Sequence, residues 1–287
     1  MSRHSIGAAL LFALGAVPAS ALAEPHPDAE RIVAIGGAVT EFVYAFGAGD
    51  RLVARDTTST FPPEAMALPD VGYMRQLSPE GVLSMRPDLI LAEEGAGPPE
   101  AVALLKSAGI PYEEIPSGAS PGGVLAKADA VAEVLGVADG ALRAALEADL
   151  TRAAKADRAI ATPQRVLFVL SAQDDRLLAA GAGTGAEAII TLAGATNAVS
   201  GFQGYKPLTD EAVIAAAPDA ILMMDRGDGA TDPEAQKAQV LAMPAVTATP
   251  AGKAGRVIRM NGLYLLGFGP RTGKAALDLH RALYGGA

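Results

Sequence analysis

Tyr73, in the run Asp70-Val-Gly-Tyr-Met-Arg-Gln-Leu77, stands in a loop that enters a helix. In α/β sheets ligands bind beyond the carboxyl ends of strands, where such loops lie. Asp225 and Arg226 directly follow an apolar strand over 220–224 and occupy the corresponding rim of a second unit. If the two units face each other, Tyr73 and Arg226 converge on one cleft. A loop tyrosine taken alone is more readily an ordinary half-buried side chain. Gly36-Gly37, at a strand-to-helix turn, offers N–H groups to a phosphate but lacks the G-x-G-x-x-G spacing, so it reads as a tight turn.

Other chemistries are poorly provided for. No G-x-S-x-G elbow occurs, and the three histidines, His4, His26 and His280, are too scattered for a triad, which disfavours an exported α/β hydrolase. The same scarcity argues against a zinc or manganese site. Cysteine is absent, excluding disulfides, thiolate metal sites and a lipid-modified cysteine anchor.

The elements that must position Tyr73 come as a repeated unit. Leu77-Ser-Pro-Glu-Gly-Val-Leu-Ser-Met-Arg-Pro-Asp-Leu-Ile-Leu91 aligns without a gap on Leu208-Thr-Asp-Glu-Ala-Val-Ile-Ala-Ala-Ala-Pro-Asp-Ala-Ile-Leu222. With one gap, Gly72-Tyr73 also matches Gly204-Tyr205. Each copy reads as helix, Pro-Asp and strand: Ser78 caps the helix, Pro79 suits its first turn and Pro87 stops it. A single repetition at this separation implies two similar lobes rather than a solenoid. Glu80 and Glu211 occupy matching first turns, where a carboxylate also stabilises the helix dipole by about 0.3–1 kcal/mol.

Further strands are expected over 31–35, 52–55, 165–170 and 256–260. Helices are expected over 40–46, 98–108, 120–135, 186–192, 233–241 and 272–284, with 197–207 left as a loop. The segment 139–160 sets Leu142, Leu146 and Leu150 on one face and pairs Arg143 with Glu147, as a helical spine between lobes would. The expected class is α/β, with mainly parallel sheets, and the expected division is 24–136, a linking helix over 137–163, and 164–287.

Half of the 287 residues are hydrophobic and 19% are charged, enough for a substantial core. Arg3, an apolar run over 6–17 and Ala21-Leu22-Ala23 form a secretory signal over 1–23, with Glu24 the expected mature start. The run is too short to span a membrane well, so a soluble exported protein is expected. The formal charge is −9, and losing Arg3 makes it more negative, which disfavours nucleic acid as a partner.

Val71-Gly-Tyr-Met-Arg-Gln-Leu77, residues 186–198, Gly204-Tyr-Lys-Pro-Leu-Thr209 and Leu265-Leu-Gly-Phe-Gly-Pro-Arg-Thr272 resemble the haem-binding periplasmic proteins of bacterial haem ABC importers. The resemblance covers nearly all of the chain after the signal. Its layout is shared with siderophore- and cobalamin-binding relatives, whereas Gly-Tyr-Met-Arg is more specific to haem. It implies two Rossmann-like lobes joined by a long helix, a ligand cleft between them, and a monomer. It also implies that haem b is delivered to a permease and its ATPase, downstream of an outer-membrane haem receptor system, with no chemistry on the ligand. Tyr73 would then be the axial iron ligand, a hard anionic oxygen donor suited to ferric iron. Arg226 would contact the tyrosine, and Arg75 would pair with a propionate. Arg55, Lys206 and Arg271 are further candidates for the propionates. Some relatives add a histidine ligand, and this chain offers none in an expected cleft loop; Tyr205 is the weaker second oxygen donor, and Met74 reads as packing. Glu80 and Glu211 would dock onto permease arginines. A ferric siderophore or a corrinoid is the alternative cargo.

Overall fold

The computed structural model describes residues 24–158, 160–173, 176–225 and 232–285. The signal segment and Arg226 therefore lie outside the described residues. In chain order, β1 (Ile32–Ile35) turns into α1 (Gly37–Ala45), and β2 (Leu52–Arg55) leads through a 3-10 turn (Pro63–Ala67) to α2 (Pro79–Ser84). β3 (Leu89–Glu93), α3 (Pro99–Ser107), β4 (Tyr112–Ile115) and α4 (Pro121–Leu135) follow. After α5 (Gly140–Arg158) come β5 (Arg165–Gln173), β6 (Arg176–Ala180), α6 (Gly185–Leu192), β7 (Thr196–Asn197), β8 (Tyr205–Leu208) and α7 (Asp210–Ala216). The chain continues with β9 (Ala220–Asp225), α8 (Pro233–Ala242), α9 (Pro244–Thr247), α10 (Pro250–Lys253), β10 (Val257–Asn261), α11 (Gly262–Leu266) and α12 (Thr272–Tyr284). Among the described residues no helix is long and apolar enough to cross a membrane.

The N-terminal half carries a four-stranded parallel sheet in the order β2-β1-β3-β4. Its strands are short and apolar: Ile32, Val33, Ala34 and Ile35 of β1 and Leu89, Ile90, Leu91 and Ala92 of β3 are buried, as central parallel strands covered on both faces must be. The C-terminal half carries a mixed sheet in the order β10-β9-β5-β6-β8, with β7 also on β5. The expectation of parallel pairing holds for β10, β9 and β5 but fails for β6 and β8, which are antiparallel. The connection from β5 to β6 is too short for a crossover, so the strand must turn back on itself. The expected loop over 197–207 is likewise overturned at its end, where Tyr205–Leu208 forms the edge strand β8. Pro207 is tolerated there because an edge strand has one side free of ladder bonds.

In each copy of the repeat the aspartate explains the motif. The Asp88 carboxylate accepts from the backbone N–H groups of Glu30 and Arg31, both at 2.9 Å, and Asp219 accepts from Arg165 N–H at 2.8 Å. Each thereby ties the start of its own strand to the entry of the neighbouring one. α5 places Leu146, Leu150 and Ala153 in the core, and its Arg143 and Glu147 form the expected pair at 3.2 Å. It packs on α4, α12 and α6. α12 approaches so closely that a Cβ on Gly273 would lie 2.6 Å from the Asp149 carbonyl carbon. A glycine is required at that crossing.

Candidate functional site

Tyr73 projects from a loop that is tightly fastened beneath it. Asp70 accepts from Arg55 Nη1 (2.8 Å), Thr57 Oγ1 (3.1 Å) and Gly72 N–H (2.8 Å), while Thr57 N–H donates to the Gly72 carbonyl (3.0 Å). Gly72 has φ +99°, a conformation that side chains resist. Val71, Met74 and Leu77 are buried anchors, so Met74 is core packing, whereas Tyr73 is 43% exposed. Gly97 closes the loop: its N–H donates to the Met74 carbonyl and its carbonyl accepts from Leu77 N–H. Ser78 then caps α2, leaving Glu80 exposed in the first turn.

Tyr205 opens β8 and is 40% exposed, its ring edge-on to Phe168 with centroids 6.4 Å apart. Burial pushes its phenol pKa up, and the Arg75 guanidinium pulls it part of the way back. That influence brings a cation of the N-terminal half near a tyrosine of the C-terminal half. Arg75 is exposed and has no ion-pair partner among the described residues. Glu211, exposed in the first turn of α7, has its carboxyl held below the usual range by its own backbone N–H and the Thr209 hydroxyl.

The remaining cations are differently committed. Arg55 is buried against Asp70. Lys206 lies over the Phe202 ring at 5.6 Å. Arg271 donates to both carboxylate oxygens of Glu41, at 2.8 and 2.6 Å. Asp225 is the last residue of β9 rather than the start of a loop, and Arg259 Nε binds it at 2.7 Å. The Gly36-Gly37 turn has no vacant donors for an anion, because Gly36 N–H goes to Asp56 and Gly37 N–H to Thr58 Oγ1, both at 3.0 Å. His26 pairs with Glu113 at 3.0 Å, and His280 contacts the Ala193 carbonyl at 3.0 Å. A groove of about 410 Å³ runs between Ala119–Pro121 and α6 and is not lined by either tyrosine.

The buried charges Glu41 and Lys127 and the half-buried Glu93 were not singled out from the sequence. Two had a cue: Glu41 lies in a largely apolar helix between Val39 and Phe42, and Lys127 sits in a helix that is otherwise apolar on that face. Lys127 pairs with Glu93 while wholly buried.

The periplasmic binding protein family model matches residues 32–262, and the chain belongs to that family. Among solved structures it is similar to the periplasmic heme-binding protein BhuT in complex with two hemes, at 46% identity, covering 88% of this chain and 97% of that one, TM-score 0.82. It is also similar to the periplasmic heme-binding protein RhuT from Roseiflexus sp. RS-1, at 39% identity, 89% and 98% coverage and TM-score 0.83. A periplasmic heme-binding protein from Pseudomonas aeruginosa matches at 32% identity, 90% and 94% coverage and TM-score 0.82. Among curated sequences, the ABC transporter substrate-binding lipoprotein YvrC of Bacillus subtilis is 29% identical over 203 residues, 69% of this chain and 64% of that protein. The vitamin B12-binding protein of Vibrio cholerae is 41% identical over 90 residues, 31% of this chain and 32% of that protein. The chain thus spans less than two thirds of the length of these curated relatives.

Proposed function

We propose that this chain is a periplasmic substrate-binding protein that captures haem and delivers it to an ABC permease and its ATPase. The observation that carries the reading is its 46% identity to a periplasmic heme-binding protein over 97% of that chain. The exposed Tyr73 phenol on its fastened loop is suited to bind ferric iron as phenolate. A free tyrosine has a pKa of about 10, so the charge of the iron must help to ionise it. Arg75, exposed and unpaired among the described residues, is the partner for a haem propionate. Arg226, which lies outside the described residues, is the cation proposed to contact the tyrosine. Tyr205, with its phenol pKa raised by burial, stays neutral at pH 7 and is the weaker donor.

The two halves act as lobes divided at 24–136, 137–163 and 164–287, with the cleft between them. Residues 1–23 are removed on export, the chain works as a monomer, and an outer-membrane receptor supplies the haem. Glu80 and Glu211, at capped first turns of α2 and α7, dock onto permease arginines. The match to a vitamin B12-binding protein favours a corrinoid as the second reading.

Hemin titration of the exported protein, read by visible absorption, tests both. A saturable ferric spectrum with a phenolate charge-transfer band is expected, lost in Tyr73→Ala with affinity falling by roughly 100-fold or more, about 2.7 kcal/mol. Tyr205→Phe is expected to keep the band. Saturable cyanocobalamin binding with no hemin binding would replace this reading with the second.

A further inference from the structure

The two halves are joined by a buried charge contact far from the linking helix in sequence. Arg271, at the start of α12, reaches Glu41 of α1 with both Nε and Nη2. The Glu41 side chain is only 4% exposed. The guanidinium also lies 3.6 Å from the ring centre of Phe61 and 4.9 Å from that of Tyr264. Glu41 and Phe61 belong to the N-terminal half, Arg271 and Tyr264 to the C-terminal half. The segment leading to Arg271 lies close along α1: a Cβ on Gly37 would meet Leu263 at 2.5 Å, and one on Gly269 would meet the Ala38 Cα at 3.4 Å. Lys127 adds a second crossing, donating to the Gly267 carbonyl at 3.4 Å.

A two-pronged ion pair with a buried carboxylate does not slide, because its geometry is directional and separation strands that carboxylate away from water. Its location gives it leverage. Phe61 ends the loop over 56–61, whose Thr58 accepts from Gly37 N–H and whose Thr57 bonds both Gly72 and Asp70 beneath Tyr73. Arg271 thus contacts, at Phe61, the far end of the same segment whose Thr57 underlies the Tyr73 loop. We propose that Arg271 is a positioning residue, a latch through which the C-terminal half holds the Tyr73 loop in its ligand-ready form and whose opening accompanies ligand release. The proposal rests on the haem reading for its ligand, while the latch itself is testable without ligand.

The test combines haem dissociation into an excess of apo-globin with amide hydrogen exchange of the ligand-free protein, for wild type, Glu41→Gln, Arg271→Lys and Phe61→Leu. Glu41→Gln and Arg271→Lys are expected to release haem about tenfold faster, as loss of supporting contacts around a metal ligand does, while keeping the phenolate band at saturation. In the ligand-free protein, peptides covering 56–61 and 70–77 are expected to exchange faster. Phe61→Leu keeps the ion pair and should give the same changes to a smaller degree, and it carries the test if the charge variants do not fold. Unchanged exchange at 70–77 in the folded variants overturns the latch whether or not haem binds. Faster exchange with no haem binding by wild type leaves the latch standing and removes the ligand.

Discussion

The two copies of the helix–Pro-Asp–strand unit share a scaffold and differ at their rims. In both, the cap hydroxyl accepts from the N–H three residues on, Ser78 from Gly81 and Thr209 from Ala212, each at 3.3 Å. In both, the residue before the proline takes a left-handed conformation, Arg86 at φ 50° and Ala217 at φ 41°. Upstream they diverge. Gly72-Tyr73 lies in a loop tied to the end of β2 through Asp70, whereas Gly204-Tyr205 runs into an edge strand against β6. The first rim holds an exposed phenol on a fixed base, and the second lays its phenol beside Phe168. Repetition here preserves what supports the strand, while the tyrosines on the two rims sit in different surroundings.

Three experiments would sharpen or break that comparison. The largest effect is expected at the aspartates. Asp88 accepts two backbone N–H groups and Asp219 one, so Asp88→Ala should lower unfolding free energy by about 3 kcal/mol and Asp219→Ala by about half as much. Urea denaturation midpoints measure the difference, and equal losses would mean that the two copies carry the same load. Next, Asp70→Ala should loosen the Tyr73 loop and weaken hemin binding about tenfold. Lys206→Ala, on the opposite rim, should change it by less than about twofold, since an exposed charge contributes little. Comparable losses by titration would remove the asymmetry between the rims. Smallest, Ser78→Ala and Thr209→Ala should each cost about 1 kcal/mol. A clear inequality in thermal unfolding would show that the shared caps are not equivalent.

Much of the scaffold could be read directly. α12 spans Thr272–Tyr284, as expected, and α4 starts and stops where Ser120 and Gly136 signal. β4, Tyr112-Glu-Glu-Ile, escaped notice because it is an edge strand, and edge strands carry charges that disguise them. β6 and β8 escaped because their pairing is antiparallel and one contains a proline. At the site, Tyr73 was visible as a loop residue ahead of a capped helix, and Met74 as packing. Arg271 was visible only as a cation. Its commitment to Glu41, 230 residues away, left no trace in local spacing.

The sequence by itself determined the helix caps and stops, the doubled unit with its two aspartates, and the placement of Tyr73 ahead of α2, because each follows from backbone hydrogen bonding over a few residues. Only the tertiary structure decided which cations are free to meet a ligand. Arg55 is spent on Asp70 and Arg271 on Glu41, while Arg75 stands unpaired among the described residues and acts on Tyr205. A charge is neutralised by whatever folding brings within a few ångströms of it, and for Arg271 that neighbour comes from the opposite half of the chain.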